Sequence, residues 1–285
     1  MDVKHMRIDL SMAILAIILL CSNPIKAGSP TRIISLAPSL TKNLYLLDAG
    51  DLLVGCTNYC SIQAGTDASI VANAVQVNYE KIALLKPDLI ITTTLTKTRS
   101  IENFKKLGIE VLLFENPLSF NQICDQFLSL GERIGKADLA REILMKAKDR
   151  VAELTNKIPN NPGAKSKVFM QIGANPLFTV VPETFMNDYI LLSNTENIAA
   201  DLEIGSINME SVILRNPDII VIVLMGLIGE EESKKWRSFK NLNAVKKDQI
   251  FYLDADKACS PTPLSFVESL ESIIKMFYPS SIRTE

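Results

Sequence analysis

Short apolar runs rich in β-branched residues alternate along the chain with stretches whose apolar positions recur every three to four residues. The runs are Arg32 to Leu36, Leu52 to Cys56, Asp88 to Thr92 and Glu110 to Phe114, then Lys167 to Ile172, Asp218 to Leu224 and Gln249 to Leu253. Apolar at nearly every position, they suit strands buried on both faces of a parallel sheet with crossover helices over it. The predicted fold class is α/β. Between the two groups, Lys136 to Ile158 carries Leu139, Ile143, Leu144, Ala147, Val151, Leu154 and Ile158 at helical spacing among charged residues, and stops at Pro159. The pattern predicts one helix of about 20 residues, about 30 Å long. It joins two lobes, 28–135 and 159–285, and leaves a ligand cleft between them.

An internal repeat supports the division. Asn78-Tyr79-Glu80 through Leu84-Leu85-Lys86-Pro87-Asp88-Leu89-Ile90 recurs 130 residues later as Asn208-Met209-Glu210 through Leu214-Arg215-Asn216-Pro217-Asp218-Ile219-Ile220. Each copy reads as an Asn N-cap, a short helix, a Pro-Asp stop and a buried strand. Glu80 and Glu210 fall in the first turn, where a carboxylate stabilises its own helix by roughly 0.3–1 kcal/mol and needs no partner. Recurrence in both lobes adds a second reading, two acidic knobs for two arginine pockets of a pseudosymmetric partner. A fainter echo sets Pro117-Leu118-Ser119-Phe120 against Pro263-Leu264-Ser265-Phe266, each expected to open a helix. Two copies are too few for a solenoid.

Composition narrows the class. Of 285 residues, 47% are hydrophobic, enough for a large core and against disorder. Residues 1–27 carry Lys4 and Arg7, an apolar run from Met12 to Leu20, and Ala27 before Gly28, the layout of a secretory signal. Cleavage after Ala27 and a periplasmic location are expected; lipidation at Cys21, anchoring the protein to a membrane, is the alternative. Cleavage removes three positive and two negative charges, so the net charge moves from −2 to −3. No basic excess remains, which disfavours a nucleic-acid partner. The single histidine, His5, lies inside the signal. The mature chain thus has no histidine for a catalytic relay, and no Gly-rich phosphate loop is present. Cys56, Cys60, Cys124 and Cys259 are too sparse for a disulfide framework. Cys56 and Cys60 are close enough in sequence to pair, or to stay buried thiols.

Residues just after strands are the candidates for the cleft: Pro38 and Ser39, Thr57 to Tyr59, Thr93 and Thr94, Asn175 and Pro176, and Asp254 to Ser260. Tyr59 stands out, because its ring can stack on a flat ligand and its phenol can bond a polar group or a ferric ion. The bland reading is a tyrosine that packs against its own lobe.

The chain resembles the periplasmic solute-binding proteins with a helical backbone between lobes, which serve importers of vitamin B12, ferric siderophores and haem. The resemblance runs from about Arg32 to Phe277. It is carried by Arg32-Ile33-Ile34-Ser35-Leu36-Ala37-Pro38-Ser39, Val54-Gly55, the two copies of the repeat, Leu107-Gly108-Ile109 and Asn197-Ile198-Ala199. It implies two Rossmann-like lobes, a modest closing motion, no catalysis, and Glu80 and Glu210 meeting arginines of an ABC importer's permease. It also implies a ligand site at Pro38, Ser39, Asn58, Tyr59, Asn175 and Asp254, with no cofactor, the ligand being a corrinoid or an iron chelate. A monomer is expected. Within the family, Val54 to Tyr59 and Gln171 to Phe178 are most similar to the members that bind vitamin B12. Tryptophans of that pocket are matched here by Ala74 and about Ile204, and an arginine by Ala258, which leaves ferric siderophores and haem open. A cleft enzyme of chelatase or nitrogenase-like architecture and an exported adhesion protein are rival classes.

Overall fold

The computed structural model describes residues 28–73, 76–159, 163–223 and 227–280. The signal segment with His5 and Cys21, and Ala74, lie outside the described residues.

The first lobe runs β1 (Ile33–Ser35), α1 (Pro38–Leu46), β2 (Leu53–Thr57), β3 (Ser69–Ala72), α2 (Tyr79–Leu85), β4 (Leu89–Thr93), α3 (Thr98–Lys106) and β5 (Glu110–Phe114). Its five strands are parallel, in the order β3-β2-β1-β4-β5. Helices α4 (Phe120–Arg133) and α5 (Ala137–Asn156) follow, the second being the expected backbone helix. It buries Ala140, Leu144, Ala147 and Leu154 along one stripe. The second lobe runs β6 (Lys167–Ala174), β7 (Leu177–Thr179), α6 (Met186–Leu192), β8 (Glu196–Asn197), α7 (Met209–Arg215), β9 (Ile219–Ile222) and α8 (Leu227–Arg237), then α9 (Asn243–Lys246), β10 (Ile250–Tyr252), α10 (Ala255–Cys259) and α11 (Pro263–Phe277). Its order is β10-β9-β6-β7, with β8 also on β6.

All seven expected strands form. Strands β3, β7 and β8 were not expected; β8 is only the polar pair Glu196–Asn197, and β7 only Leu177–Thr179. Strand β7 also corrects the expectation of parallel sheets throughout: it returns antiparallel to β6 across Asn175-Pro176.

The repeat is built alike in both lobes. Asn78 Oδ1 accepts from Lys81 N–H at 2.9 Å and Asn208 Oδ1 from Ser211 N–H at 2.8 Å. Each helix ends on a left-handed residue, Lys86 (φ 46°) and Asn216 (φ 47°), and the following proline cannot continue it. The next aspartate ties two strands together. Asp88 accepts from the N–H groups of Thr31 (2.8 Å) and Arg32 (3.1 Å), at the start of β1. Asp218 accepts from Lys167 N–H (3.1 Å), at the start of β6. The second echo holds only in part: Ser119 is itself the N-cap of α4, whereas Thr262 caps α11 and Ser265 sits three residues inside, in a capping box.

Successive residues of β1 face opposite ways, and the core divides accordingly. Ile33 belongs to a cluster that continues through α4, α5 and α11 to Val168 and Met170 of the second sheet. Ile34 packs outward with Ile82, Ile90 and Phe104, and the second lobe has its own outer cluster around Phe169, Val212 and Trp236. Between the lobes Phe266 is stacked between Phe120 and Tyr189, with ring centroids 4.6 and 4.5 Å away.

Candidate functional site

The carboxyl ends of both sheets open on a hollow of about 620 Å³ that both lobes line. The first lobe contributes Pro38, Ser39, Leu40 and Asn43 from the start of α1, Thr93 and Leu95 after β4, and Asn116 to Leu118 after β5. The second contributes Ile172 of β6, Glu183 to Met186 at the start of α6, and Cys259 to Pro261 from the end of α10 towards α11. Pro38 sets the wall, since a proline at the first helical position fixes where α1 begins. Lys42 of α1 reaches across to Asp256 of α10, 2.8 Å from its carboxylate.

A second hollow of about 550 Å³ shares Pro38 and Leu95 with the first and is lined by the first lobe alone, with Thr57, Tyr59, Tyr79, Lys97 and Arg99 among its residues. A tight turn throws Tyr59 outward: Tyr59 N–H donates to Thr57 Oγ1 (3.2 Å) and Cys60 N–H to the Thr57 carbonyl (3.1 Å). The ring is 61% exposed, against the reading that it packs into its lobe. Beneath the turn Cys56 and Cys60 are buried, and all four described cysteines are thiols. Cys60 Sγ accepts from Thr41 Oγ1 at 3.0 Å. The Cys56 thiol first, then the hydroxyls of Thr41 and Thr57, outweigh burial and lower Cys60, while Cys60 first and burial second push Cys56 up.

Of the residues expected at the ligand, Pro38, Ser39 and Tyr59 meet in these two joined hollows, with Thr57, Thr93 and Ser260. Asn58 faces an adjoining groove beside Glu80. Asn175 is at the tip of the β6–β7 hairpin and Asp254 caps α10, its Oδ1 accepting from Asp256 N–H at 2.9 Å; neither lines either hollow. Ile204, 70% exposed, is likewise outside them. Asn43 went unnoticed. It is 4% exposed, and its Oδ1 has no hydrogen-bond partner among the described residues. Its sequence signal was a polar residue inside the apolar stripe Leu40, Leu44, Leu47. The sole tryptophan, Trp236, lies in a charged stretch yet is fully buried, 5.4 Å from Phe169, and its indole N–H donates to Gln171 Oε1 at 2.7 Å. Gln171 Nε2 in turn donates to the buried Glu232 at 2.8 Å.

Glu80 and Glu210 are exposed, and neither has an ion-pair or hydrogen-bond partner among the described residues. A helix leading into a parallel strand runs back across the sheet, so both carboxylates lie level with the carboxyl edges that face the cleft. Among the described residues no group of three or more His, Cys, Asp or Glu side chains could hold a metal ion, and no helix is long and apolar enough to cross a membrane.

Two α/β lobes on a backbone helix, with a cleft lined by both, define a two-lobed binding protein. The chain belongs to the periplasmic binding protein family, which matches residues 33–257. It is 27% identical over 261 residues to an uncharacterised ABC transporter substrate-binding lipoprotein of Bacillus subtilis, covering 89% of this chain and 82% of that one. It is 27% identical over 251 residues to the vitamin B12-binding protein of Vibrio cholerae, covering 86% and 89%. Among solved structures, a possible iron-binding periplasmic solute-binding protein from Staphylococcus epidermidis superposes with a TM-score of 0.77 at 28% identity, covering 88% and 100%. The crystallised vitamin B12-binding protein of Vibrio cholerae gives 0.76 at 25%, covering 90% and 100%.

Proposed function

We propose that this chain is the substrate-binding component of an ABC importer, capturing a metal chelate outside the cytoplasm and delivering it to the membrane permease without catalysis. The observation that carries this reading is the cleft itself, a hollow lined by both lobes, together with two equivalent helices whose glutamates have no partner among the described residues. A corrinoid is the favoured cargo, from the likeness to vitamin B12-binding relatives over most of the chain. The exposed Tyr59 offers a stacking face, and Lys97 and Arg99 beside it suit a ligand carrying phosphate or carboxylate. The same phenol and cations favour a second reading, a ferric siderophore or haem, with Tyr59 as the ligand to iron. Export by the signal at residues 1–27, or anchoring at Cys21, would place the cleft where such cargo arrives.

Calorimetric titration of the purified protein with cobalamin, cobinamide, haem and ferric siderophores tests the cargo. Tight binding of cobalamin is expected, and tight binding of none of the four classes would overturn the chelate reading. In cells, Glu80→Ala with Glu210→Ala is expected to leave chelate binding intact and abolish uptake; normal uptake would remove the permease role of the glutamates.

A further inference from the structure

The two most exposed large apolar side chains among the described residues are Leu214 and Leu84, 87% and 81% exposed. They stand at the same place in the two copies of the repeat, each four residues after its glutamate, Glu210 and Glu80. Residues four apart share one face of a helix, so each short helix carries a carboxylate and a leucine on one outward strip. The opposite side holds the wholly buried Ile82 in one lobe and Val212 in the other. From Tyr79 to Leu85 and from Met209 to Arg215 the pattern of buried and exposed positions is the same residue for residue. A single exposed leucine is ordinary on a protein surface. The same leucine, beside the same unpaired acid, on equivalent helices of both lobes is a pattern, and it matches a partner made of two like halves.

We infer that Leu84 and Leu214 are a second pair of docking contacts, each seating in an apolar pocket next to the arginine that receives the neighbouring glutamate. The inference rests on the permease-docking reading of Glu80 and Glu210. The two pairs divide the work. Long-range attraction between the carboxylates and the arginines sets the rate of encounter and its sensitivity to salt. Removing two leucines from water acts after contact, and so slows dissociation.

The test uses the importer permease of the same cell, reconstituted in nanodiscs, with association and dissociation followed by interferometry at several salt concentrations. Leu84→Ser with Leu214→Ser is expected to speed dissociation by about tenfold for each leucine, leaving the association rate and its salt slope unchanged. Leu84→Met with Leu214→Met keeps the apolar bulk and is expected to dissociate at close to the wild-type rate. Glu80→Ala with Glu210→Ala is expected to slow association and flatten the salt slope. A serine variant that leaves as slowly as wild type, while the glutamate variant fails to bind, overturns the leucine contacts alone. A glutamate variant that binds like wild type overturns the docking reading beneath them. A dimer of the free protein that the serine substitutions dissolve would assign the leucines to self-association and also overturn the inference.

Discussion

Asn43 occupies a place that the rest of its helix gives to leucine. Its neighbours on the same stripe, Leu40, Leu44 and Leu47, are buried in the shared core, whereas Asn43 carries a buried oxygen with no hydrogen-bond partner among the described residues and lines the cleft. Leaving such an acceptor unmade costs about 1–3 kcal/mol, a cost that a donor on the cargo would offset. Asn43→Leu is therefore expected to raise the unfolding free energy by about 1 kcal/mol while weakening cargo binding about tenfold. Urea unfolding and the calorimetric titration check the two halves. Asp88 and Asp218 have the opposite character, fully used and structural. Burial raises both carboxyls, but for Asp88 the N–H groups of Thr31 and Arg32, and for Asp218 the Lys247 ammonium and Lys167 N–H, outweigh it and hold each below the usual range. Since the folded value lies below the unfolded one, near 3.9, their contribution is fully present above that value and lost as pH falls through the folded values. As pH falls below about 4 the urea midpoint of the wild type should fall more steeply than that of Asp88→Asn with Asp218→Asn. The sequence showed both aspartates as a repeated Pro-Asp pair but not what they hold, because their partners lie 57 and 51 residues away.

The seven expected strands were legible because each lies in an apolar run of five to seven residues, and the backbone helix because its apolar positions repeat the helical period over twenty residues. Strand β7 was not: its three residues pair antiparallel only because a two-residue turn folds them back on β6. The repeat was also legible, and its caps followed from residue type, yet the way its helices stop did not. Lys86 and Asn216 both adopt left-handed backbone, which side chains other than glycine and asparagine resist. Lys86→Gly is expected to stabilise by about 0.5–1 kcal/mol, seen as a rise in Tm. Asn216→Gly should not, although its φ is nearly the same. Asn216 Oδ1 accepts from Asn243 N–H at 2.9 Å, and losing that bond cancels the backbone gain.

For the molecule as a whole, the facing strands and α11 make the lobes less independent than a two-part sequence suggests. One cluster of buried residues runs from Ile33 in the first sheet through Phe120 and Phe266 to Val168 in the second. Shared cores unfold together, so a single calorimetric transition is expected, with van 't Hoff and calorimetric enthalpies equal. Phe266→Ala, which empties the middle of the aromatic stack, should cost about 3–5 kcal/mol and split that transition in two. The cleft was legible as a place, from strand ends, and its composition only in part, since residues such as Leu95, Asn116 and Phe185 arrive from loops whose course depends on how the lobes meet.

Trp236 brings an optical consequence. Buried against Phe169 and bonded to Gln171, it is held in one environment and lines neither hollow, so cargo cannot touch it. Its emission should keep its colour on loading. Corrinoids, haem and ferric chelates absorb light, and any of them in the cleft would drain that emission by resonance transfer across the gap. A colourless analogue, such as a metal-free siderophore, would leave it bright. The lone indole thus serves as a fixed lamp that reports the colour of the cargo.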